Sequence, residues 1–591
     1  MTPQEWQQYR QQAAQAWRRV EDPQETIIWV STDSGAYASG ASHTLDAVRR
    51  FVAERGIRAH VRITASFGTT WLEPVVDIRR PGAPRVTYGH ITADKVGGLL
   101  ESVLLGNDAR ADMAYAAWSE QPYQGIQPLS ATNWWRPQKR VLLARCGAID
   151  PESLQDYVAT GGYEAFEKAL FQMTPDEVIA EVKASGLRGR GGAGFPSGIK
   201  WESARGERNT PKYIIVNCHE GEPNVFKDRR LMEGDPHQFI EGLLIAAYAV
   251  GAKTGYIYIG SEYPLAIQRT RLAVRKLYEV GLLGENILGT GMNFDVKVVP
   301  GAGAYISGEA SAAIYGIQGQ KGMPRTKPPR SAEAGLWGKP TVVNNTETMA
   351  NVPHIINNGS DWYSTLGTEK SPGTSVFSLA GDIVNVGLTE CEMGITMQDL
   401  LFISGGGMRG GKKYRAVLAG GISGGALPEH TLHLPNEFNA LEAEGSTMGS
   451  GGYIIYDEDT CMVDLAWYCT RFNRSESCGK CVPCREGTAS QLVMLDRIRQ
   501  GTATERDLDR LVQSSNDIIA YSLCGLGQAA PIPTLSVLKH FREEFLEHVR
   551  EKRCRAGVCR FEHARDGQRD GDSFVVTPAN RRIPLVATGA R

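Results

Sequence analysis

The 591-residue sequence lacks a long apolar run, an excess of either charge and a dense set of cysteines. No stretch approaches the roughly 20 apolar residues that a membrane-spanning helix needs, so no direct membrane span is expected. The 64 Lys and Arg nearly balance the 66 Asp and Glu, which argues against a nucleic-acid-binding scaffold and against an acidic disordered chain. Eleven cysteines are too few for a disulfide framework, and an odd number without a signal peptide predicts a reducing, cytoplasmic location.

Glycine is the residue that the sequence has in excess. There are 66 glycines in 591 residues, about 11%, against an average near 7%. Glycine clusters usually mark places where the backbone must approach something closely. The cysteines are also unevenly distributed, since six of the eleven follow residue 477. Both residue types therefore point to particular segments.

Hydrophobic periodicity divides the chain into seven segments. Trp6, Ala13 and Trp17 recur at helical spacing, which predicts an amphipathic N-terminal helix that docks on the body. Alternating strand and helix patterns predict α/β folding in two of the segments. The predicted segments are an N-terminal helix (1–25), a small α/β domain (26–110), a connector (111–150), an α/β layer domain (151–355), a β-rich domain (356–445), a helical region (446–550) and a tail (551–591).

A glycine-rich segment, Gly186–Trp201, is the first candidate site. Six glycines in thirteen residues leave peptide N–H groups unshielded, so that they can converge on an anion. Arg188, Arg190 and Lys200 add positive charge nearby. The segment has neither the GK[ST] ending of a Walker A loop nor a plain G-x-G-x-x-G pattern. It is interpreted as a phosphate cradle, with a flexible surface loop as the alternative.

Three further segments place polar side chains beside apolar strands or glycines. Ile214–Arg230 begins with an apolar strand that runs into polar residues, and ligands of open α/β sheets bind at such strand ends. A solvated turn is the alternative. Val299–Ile314 and Lys327–Thr348 combine glycines with donors suited to hydroxyls and phosphates. The candidate binding residues are Asn217, His219, Glu220, Glu222, Tyr305, Glu309, Lys327, Arg330, Asn344 and Asn345.

The cysteine motif is the most specific signal in the sequence. Cys478, Cys481 and Cys484 are each separated by two residues, and Cys524 follows forty residues later. Three thiolates at this spacing with a remote fourth are typical of a 4Fe–4S cluster. A four-cysteine zinc site is the alternative, although such sites usually pair two separate hooks.

These segments together resemble the NADH-binding flavoprotein subunit of respiratory complex I. The resemblance rests on the glycine-rich segment and on EGEP, AGAYISGE, KGMPRTKPP, GKPTVVNNTET and ESCGKCVPCREGT, which occur in the family's order over about residues 150–550. The same family includes diaphorase subunits of NAD-reducing and electron-bifurcating hydrogenases and of NAD-dependent formate dehydrogenases.

The resemblance implies a fold, cofactors and site residues. It implies an α/β multidomain protein with a thioredoxin-like domain, a Rossmann-like FMN domain, a ubiquitin-like β-grasp domain and a C-terminal helical bundle that holds a 4Fe–4S cluster. It also implies that NAD(P)H passes a hydride to FMN, which releases electrons singly to the cluster. Glu220 and Glu222 are then the candidate catalytic groups, and Glu222 and Lys327 the dinucleotide contacts. The implied FMN contacts are Gly189, Arg190, Gly191, Lys200, Asn217, Glu220, Tyr305, Gly308, Glu309, Asn344 and Asn345.

The sequence departs from the family pattern around this predicted site. The family usually reads NADEGEPG where this chain reads NCHEGEPN, so His219 replaces an aspartate with a group that titrates near neutrality. Ala310 stands where a second glutamate is common, and Arg330 stands where an aromatic residue is common. Loss of a carboxylate and gain of a guanidinium favour the 2′-phosphate of NADP(H). The alternative is a decayed dinucleotide site and a flavin that exchanges electrons with another carrier.

Residues 26–110 resemble the thioredoxin-like 2Fe–2S ferredoxin domain often fused in front of this flavoprotein, yet the four cysteines are missing. Trp29, Ser34, Ser66 and Thr70 stand near the expected ligand positions. Serine and threonine do not supply thiolates, so no cluster is expected here. The sequence predicts a cluster-free domain that is kept for docking or stability.

The tail contains a second candidate metal site. His548, Cys554 and Cys559 have spacing compatible with zinc, and the fourth ligand would be Cys461 or Cys469. The alternative is a pair of free surface thiols.

The expected function is that of one subunit of a larger oxidoreductase, exchanging electrons between NAD(P)H and partner iron–sulfur subunits. The expected partners are subunits of a hydrogenase, a formate dehydrogenase or a complex I-like assembly, and a small ferredoxin-like subunit that supplies the missing cluster. Two alternatives stay open: a relay or bifurcating flavoprotein that does not use nicotinamide, and a structural subunit that retains the cofactors.

Overall fold

The computed structural model describes residues 1–561 of the chain. Within this range the protein is a mixed α/β structure with several separate sheets followed by a helical region. The last thirty residues of the tail segment 551–591 lie outside the described range. None of the helices that the structure describes is long and apolar enough to cross a membrane.

The predicted N-terminal helix is confirmed as α1 (Pro3–Glu21). It begins with a capping box between Thr2 and Glu5, which satisfies two of the free N–H groups of its first turn. Trp6 is buried, and its ring meets the ring of Tyr163 edge-on. The helix therefore packs on the α/β layer that follows.

The first sheet has the strand order β2-β1-β3-β4-β5, with β1 and β2 parallel and the other neighbours antiparallel. Its fifth strand comes from the segment predicted as a connector, so the sheet extends beyond the predicted end at residue 110. A single five-residue run flanked by polar residues gives little periodic signal, and its pairing with β4 is what makes it a strand. The elements are β1 (Thr26–Ser31), α2 (Ser34–Ala38), α3 (Ala41–Glu54), β2 (Ala59–Thr64), β3 (Val76–Arg79), β4 (Arg85–Tyr88), α4 (Ala93–Leu100) and β5 (Ala114–Trp118).

The rest of the predicted connector is anchored rather than free. Leu142 and Leu143 are fully buried, and their backbone N–H groups donate to the carboxylate of Glu390 in the third sheet at 2.8–3.0 Å. The connector therefore joins the first sheet rigidly to the other layers.

The second sheet has the order β10-β6-β7-β9-β8, in which only β8 runs antiparallel to its neighbour. Ile214 and Val216 of β6 belong to one apolar core and Ile215 to another, so both faces of the sheet are covered, as parallel sheets require. The elements are α5 (Leu154–Ala159), α6 (Glu164–Gln172), α7 (Pro175–Ala184), α8 (Ser197–Gly206), β6 (Tyr213–Cys218), α9 (Lys227–Gly234), α10 (Pro236–Val250), β7 (Thr254–Gly260), α11 (Pro264–Glu279), β8 (Gly284–Ile287), β9 (Met292–Gly301), α12 (Ala310–Ile317), β10 (Thr341–Asn345), α13 (Thr346–Asn358) and α14 (Ser360–Ser364).

A third sheet and a helical region complete the described chain. The third sheet has the order β14-β13-β17-β15-β16, and β13 and β17 are its parallel pair. The elements are β11 (Gly367–Thr368), β12 (Ser371–Pro372), β13 (Thr374–Gly381), β14 (Gly387–Glu392), β15 (Tyr414–Ala419), β16 (Gly425–Leu427), α15 (Phe438–Ala443) and β17 (Gly452–Asp457), then α16 (Met462–Ser475), α17 (Val482–Arg499), α18 (Glu505–Tyr521), α19 (Gly525–Ala529), α20 (Ile532–His540) and α21 (Arg542–Leu546).

Candidate functional site

The glycine-rich segment folds into a closed loop that leads into α8. The N–H of Gly189 donates to the carbonyl of Phe195 at 2.9 Å, and the N–H of Arg190 donates to Thr348 Oγ1 at 2.8 Å. A Cβ on Gly191 would lie 2.9 Å from the Cβ of Asn345, so only glycine lets this loop approach the start of α13 so closely. The loop therefore faces the carboxyl end of β10, where the predicted asparagine pair lies.

The Arg190 side chain holds this loop in place and does not point into the cleft, which lies between the loop and the carboxyl end of the second sheet. It is only 2% exposed, and its guanidinium donates to the carbonyls of Pro372 at 2.7 Å and Thr374 at 3.2 Å. The carbonyl of Thr374 belongs to β13 of the third sheet, and that of Pro372 belongs to β12. The structure thus places the Arg190 side chain between two layers, and only its backbone borders the cleft.

Two lysines, Lys200 and Lys327, bring positive charge toward the same end of the second sheet. Lys200 Nζ donates to the carbonyl of Val343 at 3.2 Å. Burial and the nearby charge of Lys327 lower the pKa of Lys200 to about 8. An anion bound between the two ammonium groups would relieve this repulsion, which is what a phosphate site requires.

The asparagine pair is held by neighbouring side chains. Asn344 Oδ1 accepts from the indole of Trp201 at 3.1 Å, and Asn344 is buried. Asn345 Oδ1 caps α13 by accepting the N–H of Thr348, and Asn345 Nδ2 donates to Asp228. Both residues lie at the carboxyl end of β10, and these protein contacts set the orientation of their side chains.

Polar residues at the carboxyl end of β6 and just after it contact the segment that follows β9. Asn217 Nδ2 donates to the carbonyl of Gly308 at 2.8 Å. His219 Nε2 lies 3.0 Å from the carbonyl oxygen of Ala302, which assigns the proton to Nε2 and leaves Nδ1 as an acceptor. His219 is 8% exposed, and its Nδ1 meets no partner within the described chain. A buried acceptor of this kind fits a ligand that brings an N–H or O–H group.

Glu220 and Glu222 have different surroundings although both are predicted catalytic groups. Both carboxylate oxygens of Glu220 accept backbone N–H groups at the start of α9, from Asp228 at 2.9 Å and from Arg229 at 3.0 Å. Glu220 therefore acts as a buried cap of that helix. Glu222 accepts from the hydroxyl of Tyr305 and from the N–H of Ser423 at 3.2 Å. Burial raises the pKa of Glu222 to about 7, in spite of the hydrogen bond from Tyr305.

The raised pKa of Glu222 predicts a pH-dependent stability of the FMN-free protein. The pKa is about 7 in the folded chain and near 4.5 in the unfolded chain, so the group stabilises the fold at low pH, and this contribution is lost as the pH rises to 8. The free energy of unfolding should therefore lose about 2 kcal/mol more between pH 5 and pH 8 in the wild type than in Glu222→Gln. Denaturant unfolding at both pH values measures this difference, and an equal pH dependence in both proteins would refute it.

The segment predicted to contact a dinucleotide lies at the rim of the cleft. The Glu309 carboxylate caps α12 by accepting the N–H of Ser311 at 2.8 Å, and its other oxygen lies 3.6 Å from Lys327 Nζ. Lys327 and Arg330 are exposed. Both cations are thus available to an anionic ligand.

The four cysteines of the predicted cluster lie in one pocket. Cys478 precedes α17, Cys481 and Cys484 lie at its start, and Cys524 caps the start of α19. Together with Ile306 and Leu526 they form a single contact cluster. Four thiols around an apolar space fit a cuboidal iron–sulfur cluster.

The cleft and this pocket share a wall, the 3₁₀ turn Tyr305–Gly308. The Tyr305 hydroxyl faces Glu222 in the cleft, while the next residue, Ile306, packs among the cysteines. The N–H of Tyr305 donates to Glu476 at 2.9 Å, and the Tyr305 ring meets the ring of Phe472 of α16. One short turn therefore separates the two predicted redox sites.

The second group of metal-ligating residues also comes together. Ligand atoms of Cys461, His548, Cys554 and Cys559 all lie within 4.8 Å of one another. His548 Nδ1 donates to the carbonyl of Glu544 at 2.7 Å, which directs Nε2 at Cys461 Sγ, 3.5 Å away. Three thiols and one oriented imidazole are a donor set that suits zinc. Cys469, the other candidate for fourth ligand, is not part of this group.

The sequence analysis did not predict a network of buried ion pairs that lies beneath the cleft. Lys227 is fully buried and lies 2.6 Å from Glu347 and 3.3 Å from Asp228, and Asp228 in turn holds Asn345. Glu347 also accepts the N–H of Val376 in the third sheet at 3.1 Å. The only signal was the KDRR run after EGEP, which reads as a solvated surface without its tertiary partners.

Comparisons with known proteins agree with these two sites. A family model for the Nuo51 FMN-binding domain matches residues 182–354, and one for the NADH-ubiquinone oxidoreductase-F iron–sulfur binding region matches residues 464–548. The chain is 50% identical over 431 residues to NADP-reducing hydrogenase subunit HndC of Solidesulfovibrio fructosivorans, covering 73% of this chain and 88% of that protein. It is 46% identical over 414 residues to the NADH-quinone oxidoreductase F 2 subunit of Rhizobium meliloti (strain 1021), covering 70% and 98%.

A solved structure shares the fold over most of the chain. The crystal structure of an NAD+-reducing [NiFe]-hydrogenase in the air-oxidized state contains a chain that is 28% identical to this one, with a TM-score of 0.61. The match covers 89% of this chain and 86% of that chain. It therefore extends beyond the regions of the two family models.

Proposed function

This chain belongs to the family of FMN- and iron–sulfur-binding NADH oxidoreductase subunits that includes the F subunits of NADH-quinone oxidoreductases, and on that basis we propose a site for each electron-transfer step. As a family member it is an NAD(P)H-dependent electron-transfer subunit with FMN and a 4Fe–4S cluster. The observation that carries the proposal is the turn Tyr305–Gly308, which borders the cleft on one side and the cysteine pocket on the other. Electrons would cross this turn.

The proposed roles of the protein groups follow from their contacts. FMN, when bound, supplies the exchange between hydride transfer and single-electron transfer. The backbone N–H groups of the glycine-rich loop and Lys200 would bind its phosphate. Asn217 and the Asn344–Asn345 pair would bind hydroxyl or ring groups. Glu222, held by Tyr305, would orient the dinucleotide and hold a proton at neutral pH.

Cys478, Cys481, Cys484 and Cys524 would ligate the 4Fe–4S cluster, and Ile306 and Leu526 pack beside them. Such apolar neighbours would lower the dielectric on that side of the cluster. The next electron carrier belongs to a partner subunit. We propose a partner from a hydrogenase-like or complex I-like assembly, supported by the names of the two relatives. A small ferredoxin-like subunit would supply the two-iron cluster for which residues 26–110 have no cysteine ligands.

Three exposed or half-buried cations favour NADP(H) as a substrate. Lys200, Lys327 and Arg330 line the rim, and Ala310 carries no carboxylate that would repel a 2′-phosphate. Arginine pairs with phosphate through two parallel hydrogen bonds. The relative that is 50% identical is named an NADP-reducing hydrogenase subunit. The second candidate, a relay flavoprotein without nicotinamide chemistry, would leave these cations without a ligand.

Anaerobic reduction of the FMN-loaded protein tests this proposal. Both NADPH and NADH should bleach the flavin absorbance, and Arg330→Gln should lower kcat/KM for NADPH about tenfold with little effect on NADH, which corresponds to about 1.4 kcal/mol of charge-assisted binding. Arg275→Gln, at an exposed arginine of α11, serves as the matched control. Bleaching by neither dinucleotide would refute the substrate assignment and favour the relay alternative.

We further propose that Cys461, His548, Cys554 and Cys559 bind one zinc ion. The proposal is supported by the mutual distances of the four ligand atoms and by the tautomer that Glu544 imposes on His548. Such a site would tie the end of the described chain to the start of α16 and would have a structural role. All eleven cysteines are free of disulfides, which supports the proposed cytoplasmic location.

The division into domains also stays a proposal. The first sheet would be the thioredoxin-like domain, the second the Rossmann-like FMN domain and the third the β-grasp domain. The strand order of each sheet and the separate apolar cores of the first and third sheets support this division.

A further inference from the structure

The region of the first sheet where a ferredoxin-like domain would hold its cluster is filled by an arginine from another layer. The Arg230 guanidinium, from α9, donates to Ser66 Oγ at 2.9 Å and to Thr70 Oγ1 at 3.4 Å. It forms ion pairs with Asp33 and, at 3.3 Å, with Glu73. Ser66 and Thr70, two of the four residues near the expected cluster-ligand positions, thus contact the Arg230 guanidinium.

A third such residue contacts the same helix. Ser34 donates its N–H to Glu233 at 2.8 Å, and its hydroxyl donates to the other oxygen of that carboxylate. Glu233 lies three residues after Arg230, so both side chains leave α9 on one face. Trp29, the fourth residue, lies within β1 and stacks on Arg85 of the first sheet. The first sheet therefore contacts α9 at two residues, Arg230 and Glu233.

Helix α9 also forms part of the proposed FMN site. Glu220 caps its N-terminus, and Asp228, two residues before Arg230, holds Asn345 Nδ2 and the N–H of Glu347. A helix of eight residues behaves as a rigid unit, so a shift at Arg230 moves Asp228 as well. The contacts of α9 with the first sheet and with the proposed FMN site thus lie on the same short helix.

We propose that Arg230 is a positioning residue for the flavin site and that the first sheet has exchanged its redox role for this one. The ion pairs of Arg230 with Asp33 and Glu73 fix α9, and α9 fixes Asp228 and through it Asn345. The inference rests on the proposed FMN site. It explains why a domain without cluster ligands keeps a fully buried and charged contact with the flavin layer, at the point where a cluster would otherwise lie.

The test compares Arg230→Met with Arg85→Met in the full chain, using FMN as the probe. Arg85 is also buried and paired with a carboxylate, Asp77, but this pair lies within the first sheet. Both variants should have a lower thermal midpoint. Only R230M should weaken FMN binding, by at least tenfold, and alter the visible spectrum of the bound flavin. Arg230→Lys, which keeps the charge but loses the planar fork that reaches both carboxylates, should weaken FMN binding less than R230M does.

Each outcome bears on the proposal. Unchanged FMN affinity and an unchanged flavin spectrum in R230M would overturn it, and so would an equal loss of affinity in R85M. If R230M does not fold, Ser34→Ala carries the test, because it removes one hydrogen bond to Glu233. A rise of about threefold in the FMN dissociation constant is then expected, and no change would overturn the proposal. A wild type that binds no FMN would instead refute the proposed function on which it rests.

Discussion

Replacing Cys524 with serine should remove the 4Fe–4S cluster while leaving the flavin in place. Cys524 is the proposed remote ligand, and a cuboidal cluster needs all four thiolates. Loss of a ligand should cost more than the roughly 10- to 100-fold that loss of an outer contact costs in metal affinity. The variant should still be bleached by NAD(P)H, because the cleft does not depend on Cys524. Electron transfer to an acceptor that needs the cluster should be lost.

Iron and sulfide analysis with electron paramagnetic resonance after reduction measures this effect. Cys391→Ser is the matched control, since Cys391 is buried in β14, far from the four ligands in sequence, and its thiol lies 3.5 Å from Thr389 Oγ1. The control should keep four irons per chain. A Cys524→Ser protein with a complete cluster would contradict the ligand assignment. One zinc and no iron in the wild type would favour the four-cysteine zinc alternative.

Replacing Cys559 with serine should abolish binding of one zinc ion and lower the thermal midpoint by several degrees. The ion would close a loop between Cys461 and Cys559, which lie 98 residues apart, and binding that exists only in the folded chain adds directly to stability. The last turns of the helical region, around His548 and Val549, should then exchange their amide hydrogens faster. Zinc analysis, calorimetry and hydrogen exchange of wild type and variant measure these effects.

Cys469→Ser provides the control for the zinc prediction. Cys469 is buried in α16, the helix that Cys461 caps, but it lies outside the group of four ligands. It should retain one zinc per chain and the wild-type exchange pattern near His548. Purified wild-type protein without zinc, after expression in zinc-containing medium, would refute the site.

The predicted metal ligands show which part of a site sequence spacing can place. Cys478, Cys481 and Cys484 are close in sequence, so their spacing alone places them on one turn at the start of α17. The choice between Cys461 and Cys469 could not be made from the sequence, because both are close to the same helix. The structure places Cys461 at the cap of α16, facing His548, and Cys469 two turns further along in the core.

The residues around the cleft show where reasoning from the sequence falls short. The sequence predicts Arg190 as a flavin contact, but in the structure its side chain donates to the carbonyls of Pro372 and Thr374. Glu220 and Glu222 look equivalent in the sequence. Backbone N–H groups of the helix that follows donate to both oxygens of Glu220, whereas Glu222 accepts from Tyr305 and Ser423. Burial raises the pKa of both carboxyls, so only their partners distinguish them. Such differences depend on which partner each group meets.

The sequence by itself determined the chemistry of this protein: a glycine-rich anion cradle, a cysteine cluster and a first domain without cluster ligands. These features are local, because spacing along a few residues sets which ligand atoms can converge. Only the tertiary structure decided how the sites are joined, through the turn Tyr305–Gly308 and through Arg230 of α9. The contact of Ser34 with Glu233 spans 199 residues, and no local period encodes a partner at that distance. Buried charges find such partners because desolvation makes an unpaired ion too costly to keep.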